Sequence, residues 1–218
     1  MGNAESRPVL ADSDFLIQVF LTRQRPLLAK FSRVRPFAVV EEVEIEVRNH
    51  RKFKRQFEPE FERAVANREL LVLDRSAFLH SGRDRWGETI AAEQFDSYQA
   101  IGEKYAEHVG QGEAYTHAAA VRLGVPVFSH DGAAIRILAA LNLPSGRPRL
   151  TFFDLLRFGV AEGWVPADRA EESVKYLMNK GEWVPEALRR GSIEGIEPRI
   201  LRAPVDMADT ADKLILEP

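Results

Sequence analysis

The chain has 218 residues, 45% of them hydrophobic and 29% charged, which suits one domain of about 100–200 residues with an appendage and a core of its own. It contains no cysteine, so disulfide frameworks, thiolate zinc sites, iron–sulfur clusters and cysteine nucleophiles are excluded. The net charge of −3 excludes a basic coat for nucleic acid, although 23 Arg against 7 Lys favour the residue that forks onto phosphate.

Residues 7–11 (RPVLA) read as a short buried strand with Asp12 at its end. From Ser13 to Leu28 the spacing of Phe15, Leu16, Val19 and Phe20 predicts a helix, with Ser13 or Asp14 as its N-cap. FAVV (37–40) is a second strand, and Val43 and Val47, four apart, start a second helix near Glu41 or Glu42. The basic run RNHRKFKR (48–55) continues that helix. ELLVLD (69–74) is a third strand and 88–109 a helix. Gly110 and Gly112 break the chain before EAYTHAAAVRLG (113–124), whose Ala-rich face suits close packing on a sheet. VPVFS (125–129) is a fourth strand and AAIRILAALN (133–142) a helix. LTFFDLLRFGVAEGW opens on a fifth strand or a helix, 167–190 read as two short helices, and the last ~25 residues as an extended tail. No run reaches the ~18 apolar residues of a membrane span. The N-terminus has no basic start followed by an apolar stretch. A cytoplasmic protein without membrane contact is expected.

Short apolar strands alternating with helices predict a three-layer α/β/α fold with a parallel sheet. Residues 1–150 form the main domain. Residues 151–218 form a C-terminal helical extension and tail packed on it. In such sheets the working site lies beyond the carboxyl ends of the strands. Asp12 ends the first strand, Asp131 follows the fourth, Glu46 lies early in the second helix, and Glu113 starts the helix after Gly110-Gln-Gly112. If the strands are parallel and adjacent, these four carboxylates converge at one edge. Converging like charges raise one another's pKa and cost energy unless a cation neutralises them. Hard oxygen ligands suit Mg²⁺ or Mn²⁺, which can activate water against a phosphodiester. The competing explanation is that each acid is a helix cap or a surface charge.

The succession VLADSDFLI, FAVVEEVEIEVR and GQGEAYTHAAAVRLGVPVFSHDGAAIR resembles the PIN domain family of metal-dependent ribonucleases over roughly residues 8–140. The motifs that carry the resemblance are Asp12-Ser13-Asp14, a Glu in the second helix, Gly112-Glu113-Ala114, and Asp131 followed by Ala133, Ala134 and Arg136. Glu46 fits the second motif best, with Glu42 competing. The resemblance implies an endoribonuclease whose Asp12, Glu46, Glu113 and Asp131 hold Mg²⁺ or Mn²⁺. Ser13, Asp14, His130 and Arg136 would stand beside the metal or the substrate. It also implies RNA as substrate, a possible antitoxin partner and a homodimer. A PIN-like module that binds RNA or protein without cutting is the alternative of another class. Asp12-x-Asp14 after a strand also resembles the first motif of haloacid-dehalogenase-type phosphatases, whose first Asp is a nucleophile. Here Leu16 stands where that family has Thr or Val, and Lys104 is poorly placed for its lysine.

Arg48, Arg51, Lys52, Lys54 and Arg55 either grip RNA phosphates or form a solvated helix face paired with Glu58, Glu60 and Glu62. Arg83 and Arg85 around Trp86 suit either base stacking or a dimer contact. His117 lies on the helix face of Glu113, as a support to the site or as a core histidine. No Gly-x-Gly-x-x-Gly, phosphate loop or Gly-x-Ser-x-Gly is present, which removes dinucleotide-binding, phosphate-loop nucleoside-triphosphatase and hydrolase-elbow readings.

Overall fold

The computed structural model describes residues 8–73, 92–123, 125–142, 149–182 and 184–185. Its five strands are β1 (Val9–Ala11), β2 (Phe37–Val40), β3 (Leu70–Leu73), β4 (Val127–Phe128) and β5 (Arg149–Leu150). They form one sheet in the order β3-β2-β1-β4-β5, and every neighbouring pair is parallel. The register sets Val9 opposite Phe37 and Ala11 opposite Phe128. Val9–Ala11 and Phe37–Val40 are wholly buried, as unbroken apolar strands are when helices cover both faces.

The described helices are α1 (Ser13–Leu21), α2 (Arg25–Phe31), α3 (Glu41–Asn49), α4 (Glu58–Ala66), α5 (Ala92–Ala106), α6 (Gln111–Leu123), α7 (Gly132–Ala140), α8 (Phe152–Ala161) and α9 (Ala167–Asn179). A π-helical turn (Phe53–Phe57) precedes α4. One layer contains α1, α2 and α8. Its Phe15, Phe31, Phe37, Phe128 and Phe158 rings meet at centroid separations of 4.7–6.0 Å, within the range of favourable offset and edge-on ring contacts. The other layer is α6, which lays Ala118, Ala119 and Ala120 into the same buried core as the strands. Helix α5 packs outside it. Tyr105 of α5, Ala114 of α6 and Leu138 of α7 make a smaller cluster there. Successive strand residues face opposite ways, so Phe37 and Ala38 serve opposite layers, one bulky and one thin. The three-layer α/β/α architecture read from the alternation of strands and helices is the one observed. The C-terminal extension begins with α8, whose Thr151 and Asp154 form a reciprocal capping box.

Four local expectations need correcting. The N-cap of the first helix is Asp12 rather than Ser13 or Asp14, its side chain accepting from the Phe15 N–H. The helix expected over Ser13–Leu28 is two helices. Thr22 Oγ1 donates back to the Gln18 carbonyl at 2.7 Å, Arg23 takes a left-handed φ of 58°, and Pro26 sits in the first turn of α2. The basic run does not continue α3, which ends at Asn49. Phe53, Phe57 and Phe61 are buried, and the chain widens into the π-helical turn that seats the first two. Residues 183 and 186–190 lie outside the described residues, so of the two short helices expected over 167–190 the structure describes one, α9. It is stopped at Gly181, where φ is 71° and a residue without a Cβ is at ease. The strand at 125–129 is only Val127–Phe128. Asp74, the helix start at 88–91, the Arg83–Arg85–Trp86 group and the expected tail lie outside the described residues. Among the described residues no helix is long and apolar enough to cross a membrane.

Candidate functional site

The strand order reverses between β1 and β4. The chain leaves β1 toward β2 and β3, then returns on the other side of β1. In parallel sheets covered on both faces, ligands bind in the crevice at such a reversal, beyond the carboxyl ends of the strands. Asp12 follows β1 directly, and Asp131 lies three residues past β4. The two strand ends are joined, because the Asp12 N–H donates to the Phe128 carbonyl at 3.0 Å.

Asp12 is 2% exposed. One of its oxygens caps α1, accepting from the Phe15 N–H at 2.7 Å, and the other accepts from the His130 N–H at 3.2 Å. Loss of hydration on burial pushes its carboxyl up to about 7. The Ser129 hydroxyl and the Phe15 N–H hold it down, and Asp14 and Glu113 push it further up. Ser129 has a second partner, accepting from the Asp131 N–H at 3.1 Å. One buried hydroxyl thus ties both aspartates of the switch point together. Asp131 caps α7, accepting from Ala133 N–H at 2.7 Å and Ala134 N–H at 3.0 Å.

Glu46 reaches from α3 to the start of α6, where its carboxylate accepts from the Gly112 N–H at 3.0 Å. The approach requires glycine. A Cβ on Gly112 would collide with the Glu46 carboxylate. Glu113, next in sequence, is half-buried. Its carboxyl is raised by desolvation first, then by Glu46, Asp131 and Asp14. Asp14 is raised by desolvation and then by Asp131, Glu182 and Glu46. The structure therefore brings Asp12, Glu46, Glu113 and Asp131 into one electrostatic neighbourhood, with Asp14 as a fifth member. Glu42 is turned to Tyr98 of α5, although it still feels Glu46. Geometry thus separates the two glutamates that the sequence left in competition.

Other expected participants are placed as follows. Ser13 is half-buried, and Arg136 is exposed on α7. The His130 ring is 5% exposed and its Nε2 accepts from the Phe152 N–H at 3.2 Å, which pins the turn before α7 to the start of α8. His117 is 1% exposed, and burial depresses its pKa to about 4, opposed only by Asp131. Lys104 is exposed on α5. Two residues of this neighbourhood carried no usable sequence signal. Ser129 belongs to no motif, and Glu182 lies far along the chain, beyond α9, yet acts on Asp14.

The donor set is carboxylate oxygen throughout. None of the ion pairs among the described residues involves Asp12, Asp14, Glu46, Glu113 or Asp131. This chemistry suits a hard divalent cation. Among the described residues no three His, Asp or Glu side chains already stand in one coordination shell. The compensation the fold does provide is dipolar, from the N-terminal N–H groups of α1, α6 and α7. No family model matches the chain, and no curated protein or solved structure matches it either.

Proposed function

We propose that this chain is a divalent-metal-dependent endoribonuclease in which Asp12, Glu46, Glu113 and Asp131 hold Mg²⁺ or Mn²⁺ at the switch point. The observation that supports the reading most is Asp12. It is a buried carboxyl with no cationic partner among the described residues and its pKa driven to about 7, a state that a bound cation would relieve. When bound, such an ion polarises an attacking water and offsets the charge that builds on a phosphodiester.

The chain's own residues have the following parts. Ser129 and the Phe15 and His130 N–H groups orient Asp12. Glu113, half-buried and with its carboxyl raised first by desolvation, is the carboxylate suited to accept a proton from the attacking water. Ser13 and Arg136 contact phosphate oxygens. His130 and His117 act as structural supports rather than as acids or bases. The reading includes RNA as substrate, a cytoplasmic setting, an antitoxin partner and a second copy of the chain. Asp12→Asn and Asp131→Asn abolish metal-dependent cleavage of RNA while leaving the circular dichroism spectrum unchanged. Retained cleavage in either variant contradicts the assignment.

A second reading rests on a separate observation. Asp12, Glu46 and Asp131 each already have a carboxylate oxygen on a backbone N–H, and no three acids share a ready-made shell among the described residues. A non-cutting RNA- or protein-binding module accounts for that arrangement. It predicts RNA retention without cleavage in any divalent cation. The phosphatase alternative is weaker, because both Asp12 oxygens are engaged by N–H donors and the carboxyl keeps its proton near neutrality. Hydrolysis of a small phosphomonoester would restore it.

A further inference from the structure

Residues 48–55, from the last turn of α3 into the π-helical turn, carry five cations in eight residues, and the structure divides them into two groups. Arg48 is taken up by Glu44 at 2.8 Å and by Glu62, and its guanidinium lies 5.0 Å from the centre of the Phe61 ring. Lys52 is taken up by Glu182 at 2.6 Å. These two are internal struts. Arg51, Lys54 and Arg55 are exposed, and none of the ion pairs among the described residues involves them. The acids expected to neutralise them are mostly engaged elsewhere. Glu62 is held by Arg48, and Glu60 by Arg25 and Arg63.

The backbone helps to keep these three cations outward. Phe53 and Phe57 drive inward, with the Phe57 ring stacked 5.7 Å from His50. The π-helical turn between them leaves Lys54, Arg55 and Gln56 on the solvent side. The group also adjoins the acidic rim. The π-helical turn packs against α3, which carries Glu46, and against α1, which Asp12 caps, and Lys52 bonds Glu182 at 2.6 Å. An exposed positive edge therefore flanks an uncompensated negative rim in a chain whose net charge is −3.

We infer that Arg51, Lys54 and Arg55 form a phosphate-binding edge that holds an RNA backbone against the acidic rim. The inference rests on the ribonuclease reading for its choice of polyanion. No exposed aromatic side chain stands among the three, so the grip is on phosphate and independent of base sequence. An edge of this kind also offsets the repulsion that the rim's carboxylates exert on an approaching polyanion.

The test measures binding of a labelled single-stranded RNA oligonucleotide to the full chain in EDTA, so that cleavage plays no part. Replacing Arg51, Lys54 and Arg55 together by Gln weakens binding about tenfold or more at 0.1 M salt, and lowers the slope of log affinity against log salt by about 2. A matched triple variant at exposed arginines elsewhere, Arg23→Gln, Arg33→Gln and Arg169→Gln, binds as wild type does. Thermal melts of both triple variants overlay the wild type, since the six side chains are exposed. Equal RNA binding by wild type and the edge variant overturns the inference. Equal weakening in both triple variants also overturns it, because net charge alone then accounts for the effect. Binding to phosphatidylserine vesicles in preference to RNA overturns it in favour of a lipid surface. Loss of binding in the edge variant together with undiminished cleavage by Asp12→Asn overturns the nuclease reading and leaves the edge standing.

Discussion

Glu60 and Glu69 share the guanidinium of Arg25, and Glu44 and Glu62 share that of Arg48. Asp12, Asp14, Glu46, Glu113 and Asp131 share no cation among the described residues. Both groups of acids are drawn from one chain with 33 Asp and Glu. At the Arg25 corner the fold supplies the neutralising charge, with N–O distances of 2.6 and 2.7 Å and side chains 17% exposed for Arg25 and 12% for Glu69. At the rim the partners found among the described residues are N–H groups and one hydroxyl. An acid cluster compensated from within is a structural joint. One left to dipoles invites a cation from outside, and Asp12, Asp14 and Glu113 respond by holding their protons to higher pH. Capping and clustering turn out to be compatible, since Asp12 and Asp131 are N-caps and cluster members at once.

The largest expected effect is the pH dependence of the rim in metal-free protein. Asp12 releases its proton near pH 3.8 when unfolded and near pH 7 when folded. In that window the folded chain binds the extra proton, so stability declines as pH rises through it, by an amount on the order of 4 kcal/mol. Asp12→Asn removes this decline and costs about 1 kcal/mol for a weakened hydrogen bond. Denaturant melts in EDTA should therefore find the variant about 2–3 kcal/mol more stable than wild type at pH 8 and slightly less stable at pH 4. A variant destabilised at both pH values would remove the contrast with the Arg25 corner.

His117 works in the opposite direction. Its folded pKa of about 4 lies below the unfolded 6.5, so the unfolded chain takes up the proton first and stability falls as pH drops through that interval. The contribution is about 3 kcal/mol at full extent. It partly offsets the Asp12 effect between pH 4 and 6.5. His117→Gln should steepen the decline of stability with rising pH over that range in the same melts.

At the compensated corner the sign reverses. Arg25→Met leaves Glu60 and Glu69 without that cation and should cost about 2–3 kcal/mol at neutral pH, with little change in RNA binding or metal affinity. The smallest effect expected is that of Gly112→Ala. Alanine suits a helix better than glycine, by about 1 kcal/mol, but its Cβ displaces the Glu46 carboxylate. Stability should change by less than about 1 kcal/mol, while metal affinity and cleavage fall. Unchanged metal affinity would remove Glu46 from the rim.

The parts of the fold legible in the sequence were those with local causes. VLA and FAVV announce buried parallel strands because every position is apolar. Asp12 and Asp131 announce themselves because a capping acid after a strand is a local pattern, and the parallel order then brings the strand ends together. Other parts depend on distant contacts. The break at Arg23 has Pro26 as a visible sign, but the apolar spacing of Phe15 through Phe20 ran on past it. The π-helical turn was hidden because Phe53, Phe57 and Phe61 lie among cations that dominate the reading of 48–55. Ser129 and Glu182 owe their places to partners 117 and 130 residues away, at Asp12 and Lys52, which no short pattern encodes.

The claim that the rim awaits an external cation is tested most directly by calorimetric titration of Mn²⁺ into wild type and Asp12→Asn at pH 6, in two buffers of different ionisation enthalpy. The account predicts saturable binding to wild type accompanied by release of close to one proton, because Asp12 must give up the proton it holds at that pH. It predicts that the variant has lost both the affinity and the proton release. Absence of binding in wild type, or equal binding with no proton released in either protein, would contradict it.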